Sequence, residues 1–336
     1  MRLTQILALC TAVLALSQSA FAQVKAGTVT ATFLELPVSA RGMGMADALL
    51  PIANDVSALY FNPAGLTLVE NWTAGFTHVE LPVDTRQDWV GAARTFDNLG
   101  LSAGISLTHL YTDQMDETTP AAPEGTGRTF NWTNTALGLT VAKRLTDKFS
   151  AGLTVKYVNQ SAMEFNSDGW AADVGTYYDT GWKSLKVAMI IANFGPDMTF
   201  FNEKEDPLPI LFKFGMSMDL LGTPTDENYL LGAFEFGHPS DNVEQINLGL
   251  EYAFKQSFFM RIGKKINGIT RDTWDDFQQD AGKDPYLEYP LLSLDGLTLG
   301  TGFMLDTSSG ALQFDVAYAP NKYLEDLFML TMSLKR

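Results

Sequence analysis

Residues 148–158 read KFSAGLTVKYV, and their alternation decides the fold. Phe149, Ala151, Leu153, Val155 and Tyr157 point one way; Ser150, Gly152, Thr154 and Lys156 point the other. That period of two belongs to a strand. Segment 243–254 repeats it, with Ile246, Leu248, Leu250, Tyr252 and Phe254 set against Gln245, Asn247, Gly249 and Glu251. Segments 209–219 and 311–318 do the same, Phe214 and Met216 opposing Lys213 and Gly215, and Phe314 and Val316 opposing Gln313 and Asp315. One face is large and apolar, the other small or polar.

Outward from this stretch, about fourteen such segments of roughly 9–14 residues fill 72–335, the length a tilted strand needs to cross a bilayer. The gaps sort into two classes. Tight turns fall at Asp97-Asn98, Thr146-Asp147, Gly181-Trp182, Lys255-Gln256 and Thr307–Ser309; longer excursions fall at 113–127, 196–208, 267–296 and 320–326. Only the turn near 221–227 is longer than its class. Short turns on one side and long loops on the other mark a transmembrane barrel. The expectation is an all-β fold, a closed antiparallel transmembrane β-barrel of about 14 strands over 72–336, whose outer contacts are membrane lipids. Closure removes the exposed edges of so long a sheet. An even strand number puts both termini at the short-turn, periplasmic end. Trp72 and Trp182 at that end, and Tyr111, Trp132, Trp170 and Tyr318 at the other, stand where aromatic girdles form. Leu153, Leu248 and Phe314 are expected to face lipid, with Thr154, Gly249 and Asp315 in a lumen tolerant of polar change.

Composition fits an exported chain. Arg2, the apolar run Ile6–Leu16 and Ala20-Phe21-Ala22 form a Sec signal peptide over 1–22 and direct the chain to the outer membrane. Cys10, inside that run, is the only cysteine, so no disulfide framework is expected. Asp and Glu total 39 against 23 Lys and Arg, a net charge of −16, which excludes a nucleic-acid footprint.

Residues 23–71 break the strand pattern. The stretch 33–68, FLELPVSARGMGMADALLPIANDVSALYFNPAGLTL, predicts two short helices over 39–50 and 54–60, with Asn54 or Asp55 as a cap. Gly42 and Gly44 permit close backbone approach, Asn62-Pro63 is a turn signal, and Gly65 allows a positive φ. Too short for a domain, this stretch reads as a hatch or plug inside the lumen. Asn62, Pro63 and Ala64 stand where the chain turns from lumen to wall and are expected to anchor the plug.

"FLELPVSARGMGMADA" followed by "DVSALYFNPAGL" resembles the N-terminal signature of PorV/PorQ-type proteins, a branch of the FadL-like barrels. The matching positions are Ala40, Arg41, Gly42, Gly44, Ala46, Asp55, Ala58, Tyr60 and Gly65, together with the NPA triplet Asn62-Pro63-Ala64. The resemblance implies a fourteen-strand barrel with an N-terminal hatch. It also implies one of two tasks. PorV-type proteins handle secreted cargo at the outer membrane with other components of type IX secretion. FadL-type proteins admit long-chain fatty acids or other hydrophobic small molecules. The end Leu334-Lys335-Arg336 departs from the terminal aromatic usual in such barrels.

Enzymatic chemistry finds little support. His109 near Asp113 is the one rim pair that invites a triad, and no motif supplies a nucleophile. The acidic loop 272–284 lacks the alternating ligands and central glycine of an EF-hand. No catalytic residue, cofactor or metal site is expected. Segment 184–194, SLKVAMIIANF, is apolar on both faces. Ile190 and Phe194 are therefore expected to face the lumen, either to hold an acyl chain or to pack against the hatch.

Overall fold

The computed structural model describes residues 27–200, 204–267, 296–308, 310–321 and 325–336. The signal-peptide segment and the acidic loop 272–284 lie outside these residues. Among the described residues, fourteen strands close into one antiparallel barrel. They are β1 (Trp72–Leu81), β2 (Thr85–Phe96), β3 (Leu101–Thr112), β4 (Trp132–Arg144), β5 (Phe149–Ala162), β6 (Phe165–Asp179), β7 (Lys186–Phe194), β8 (Leu211–Leu221), β9 (Asn228–Pro239), β10 (Gln245–Phe254), β11 (Phe258–Asn267), β12 (Leu297–Thr307), β13 (Gly310–Ala319) and β14 (Leu327–Lys335). Each strand pairs with its neighbour in sequence, and β1 closes on β14 from Thr73↔Lys335 to Glu80↔Phe328.

The period of two sets the faces. Along β5 the outward residues Leu153, Val155 and Tyr157 are exposed, while Gly152, Thr154, Lys156 and Val158 between them are buried. The outward row is an apolar band suited to lipid. Turn chemistry holds the short-turn end together: Lys255 and Gln256 join β10 to β11 with φ of 53° and 50°, the I′ conformation whose twist matches a hairpin. The opposite end is less uniform than the gap pattern implies. It carries the long loops, yet β1–β2, β5–β6 and β9–β10 are joined there by the short stretches 82–84, 163–164 and 240–244.

The lumen is filled by the chain that precedes β1. At the long-loop end Thr30 N donates to Pro207 O (3.0 Å) and Thr30 Oγ1 to Gln160 Oε1 (2.6 Å). At the short-turn end Thr95 Oγ1 donates to Val69 O at 2.6 Å. Residues 30–69 thus run through the barrel from one mouth to the other. As the even strand number requires, β1 begins and β14 ends at the short-turn side, where Arg336 N donates to Trp72 O, while Thr30 lies at the opposite mouth.

The plug is less helical than its sequence suggests. Helical turns cover only Ala40–Gly44 and Ala58–Phe61, with 3-10 turns at Thr32–Glu35 and Pro63–Leu68. The first helix stops because Ala46 and Asp47 take left-handed φ of 52° and 63°. There Ala46 N donates both to Met43 O and to Thr298 Oγ1 of β12 (each 3.0 Å), and Asp47 N reaches back to Gly42 O (2.8 Å), closing the last turn of the helix against the wall. Asp55 acts as a local turn-former rather than a helix cap, accepting from Ser57 N at 2.8 Å and from Ser57 Oγ.

Candidate functional site: the plugged lumen

Three layers of contact hold the plug. At the long-loop mouth, beside the two Thr30 hydrogen bonds, an apolar cluster forms, in which Phe33 and Leu34 pack with Ala136, Val158, Met198 and Leu208. Below them the contacts are ionic. Arg41 donates through Nε and Nη2 to the two oxygens of Glu251 at 2.9 and 3.0 Å, and through Nη1 to Asn54 (2.8 Å) and Asp55 (3.1 Å). Arg261 bonds the same Glu251 at 2.7 Å and Asp315 at 2.6 Å, and Gln313 completes Asp315. Lys213–Glu235 and Lys156–Asp173 are two further inward ion pairs, each at 2.8 Å. Leu50 N of the plug donates to Glu235 (3.2 Å). Each of these inward charges is paired, as burial requires.

The third layer seats the NPA triplet near the short-turn end. Asn62 is fully buried. Its Nδ2 donates to Leu50 O (3.1 Å) and Thr176 O (3.2 Å), and its Oδ1 accepts from Ala64 N (3.1 Å), capping the 3-10 turn that Pro63 opens. The wall makes room by omission. A Cβ at Gly175 of β6 would strike Asn62 Oδ1 and Pro63, and one at Gly152 of β5 would strike the Pro63–Ala64 backbone. Thr67 Oγ1 and Ser150 Oγ then meet at 2.8 Å.

The remaining signature residues also lie in the plug's contacts. Ala40 N donates to Thr331 Oγ1 (2.8 Å). Gly42 lies under the Phe61 ring, and Gly44 faces Gly300 of β12. Ala58 is buried in the main core. Tyr60 packs edge-on to Phe61, ring centroids 4.9 Å apart. Tyr60 also lines a cavity of about 20 Å³ with Leu59, Trp89, Ser106, Thr108 and Lys156, room for about one water. Gly65 differs from expectation. Its φ is not positive; what it needs is closeness, since a Cβ would collide with Ala53 O.

Ile190 faces inward, 3% exposed, against Leu50 and Ala188. Phe194 does not. It is 64% exposed on the outer face. Asn193 explains the correction: it takes φ 59°, and the β6–β7 register slips there, from Val174↔Ile191 to Ala172↔Phe194. A one-residue bulge reverses the parity beyond it. Asn193 itself is buried, bonding Lys156, Asp173 and Pro209 O. Trp132 likewise turns to the lumen side, its Nε1 donating to Asn134 (2.8 Å). His109 pairs with Thr135 (2.9 Å) and Asp113 with Arg86 (2.8 Å), so the two do not form a dyad. No group of three His, Cys, Asp or Glu able to hold a metal occurs among the described residues.

Glu251, Arg261, Asp315, Lys213–Glu235 and Asp173 were not singled out as site residues from sequence. The signal was their inward parity, charged positions on a face otherwise small, but parity names no partner.

No family model and no curated protein matches the sequence. Solved structures do. The Ralstonia pickettii toluene transporter TbuX superposes with a TM-score of 0.57 at 11% identity, over 89% of this chain and 97% of that one. A deltaS2S3 mutant of the TodX monoaromatic hydrocarbon channel gives 0.55 at 10% identity, over 83% and 94%. A Pseudomonas aeruginosa FadL homologue gives 0.52 at 12% identity, over 89% and 99%. This barrel has the FadL-type fold. At these identities the likeness is one of architecture, and the plug's chemistry has to be read from its own residues.

Proposed function

We propose that this chain is an outer-membrane channel of FadL type that admits hydrophobic compounds past a movable N-terminal plug. The observation that carries this reading is the uneven grip on the plug. At the long-loop mouth the seal around Phe33 and Leu34 is an apolar cluster, whereas deeper down it is ionic and hydrogen-bonded. An apolar solute can replace apolar contacts without leaving a buried polar group unsatisfied, so the mouth is the part such a compound opens at least cost. The fold shared with the hydrocarbon channels supports the same reading.

A second reading rests on the 33–68 signature: a PorV/PorQ-type barrel that handles cargo in type IX secretion. The two separate in one strain. Cells lacking the gene should lose uptake of a labelled long-chain fatty acid or of toluene and keep a normal set of secreted proteins. Normal uptake with secreted proteins retained in the cells would establish the second reading instead. Neither reading assigns a catalytic step to the chain.

A further inference from the structure

The outer face of the wall carries an apolar groove of about 870 Å³ over β8–β11. Its floor is β9, where Gly232 points outward without a side chain. Leu220 of β8 and Leu250 of β10 lean over the gap, 3.0 and 3.5 Å from where a Cβ would stand. Phe234 on the floor is less exposed than Leu250 and Ile262 on the rim, so the wall dips here. Behind the dip the inner face lies directly on the plug. A Cβ at Gly215 would come within 2.9 Å of Pro51, and one at Gly249 within 2.9 Å of Met45. The short-turn end of the groove is lined by Trp182, Lys183 and Leu185. Lys183 Nζ sits 5.1 Å over the exposed Trp182 ring.

We propose that this groove holds an acyl chain of one membrane phospholipid, with the headgroup phosphate at Lys183. The groove is continuous with the lipid-facing band, and its volume falls within the range of ligand sites. A tryptophan and a lysine together mark headgroup level. Lys183 is also a cation on a chain of net charge −16, so its place at the mouth of an apolar groove complements a phosphate. The absent side chain at 232 is what leaves the space.

Native mass spectrometry of the detergent-purified barrel tests this, after stripping and re-addition of palmitoyl-oleoyl phosphatidylglycerol or phosphatidylethanolamine. Wild type should retain one phospholipid per barrel through detergent steps that remove the rest. Gly232→Leu should lose that adduct, and Lys183→Ala, outside the strands, should release it earlier. Heat-modifiable mobility checks that both variants are assembled. Wild type shedding all phospholipid, or both variants keeping the adduct as wild type does, would overturn the proposal. So would a wild-type dimer peak that Gly232→Leu abolishes, since the occupant would then be a second copy of the chain.

Discussion

Arg41 of the plug grips Glu251 of the wall with two parallel hydrogen bonds, Nε to Oε2 at 2.9 Å and Nη2 to Oε1 at 3.0 Å, across 210 positions of sequence. Glu251 also accepts from Arg261 (2.7 Å) and from the Tyr229 hydroxyl (3.1 Å). Removing one partner of such a buried pair costs roughly 3–5 kcal/mol. The two ends are not equivalent. Glu251→Ala removes the acceptor of four hydrogen bonds and leaves Arg41 only Asn54 and Asp55 and Arg261 only Asp315, whereas Arg41→Ala leaves Glu251 its Arg261 and Tyr229 partners. Thermal unfolding in detergent should rank wild type above Arg41→Ala and Arg41→Ala above Glu251→Ala. Equal melting of all three would show that this network does not secure the plug.

The NPA seat depends on two wall positions with no side chain. Backbone and a buried amide stand where a Cβ at Gly152 or Gly175 would go, and neither can swing aside. Gly175→Ala and Gly152→Ala should lift the Asn62-Pro63-Ala64 turn and raise planar-bilayer conductance, with heat-modifiable mobility retained. Conductance equal to wild type in an assembled barrel would mean the triplet does not hold the lumen shut.

Leu153 and Phe314 point to lipid, and Arg at either should cost roughly 2–4 kcal/mol near the midplane. Their inward neighbours should be no more permissive, because their contacts fill the lumen that was expected to tolerate polar change. Thr154 bonds Thr140 at 2.9 Å, Asp315 neutralises Arg261, and Gly249 abuts Met45. Unfolding titrations in lipid vesicles should find Leu153→Arg and Asp315→Ala both destabilised; a neutral Asp315→Ala would restore the picture of an open, wet lumen.

Glu35 at the long-loop mouth provides a pH dependence. Burial, with Asp241 adding to it, pushes its carboxyl up to about 7 from 4.5, against Lys265 and Lys213. A carboxyl whose seated value is raised binds its proton more tightly when docked. The mouth segment should therefore be held best below about pH 4.5 and loosen as pH rises through about 7. Hydrogen exchange of residues 31–36 between pH 5 and 8, corrected for intrinsic rate, should show falling protection. Glu35→Gln should flatten the trend, and a trend unchanged in that variant would remove Glu35 as its source.

The wall was legible because alternation is local: Leu153 and Thr154 declare their faces from their own neighbours. The plug's existence was legible too, since 33–68 breaks that period. What a strand reading could not give was anything set across the barrel. Phe194 was misplaced because the Asn193 bulge reverses parity without a glycine to announce it. The helix expected to reach Leu50 ends at Gly44, where Ala46 and Asp47 turn left-handed and Ala46 N also meets Thr298, far along the chain. Glu251 and Asp315 read as inward polar positions, but only the closed barrel brings Arg261 and Arg41 to them.

The central claim, that the plug must move for a hydrophobic compound to pass, is tested most directly by locking it. Ala46 N and Thr298 Oγ1 lie 3.0 Å apart, and Cys10 is the only cysteine in the sequence, so the Ala46→Cys/Thr298→Cys chain carries one pair after residue 22. Transfer of a labelled long-chain fatty acid into proteoliposomes should stop when the pair is oxidised and return on reduction. Equal transfer by the oxidised and reduced barrel, with the crosslink verified by mass, would contradict the account.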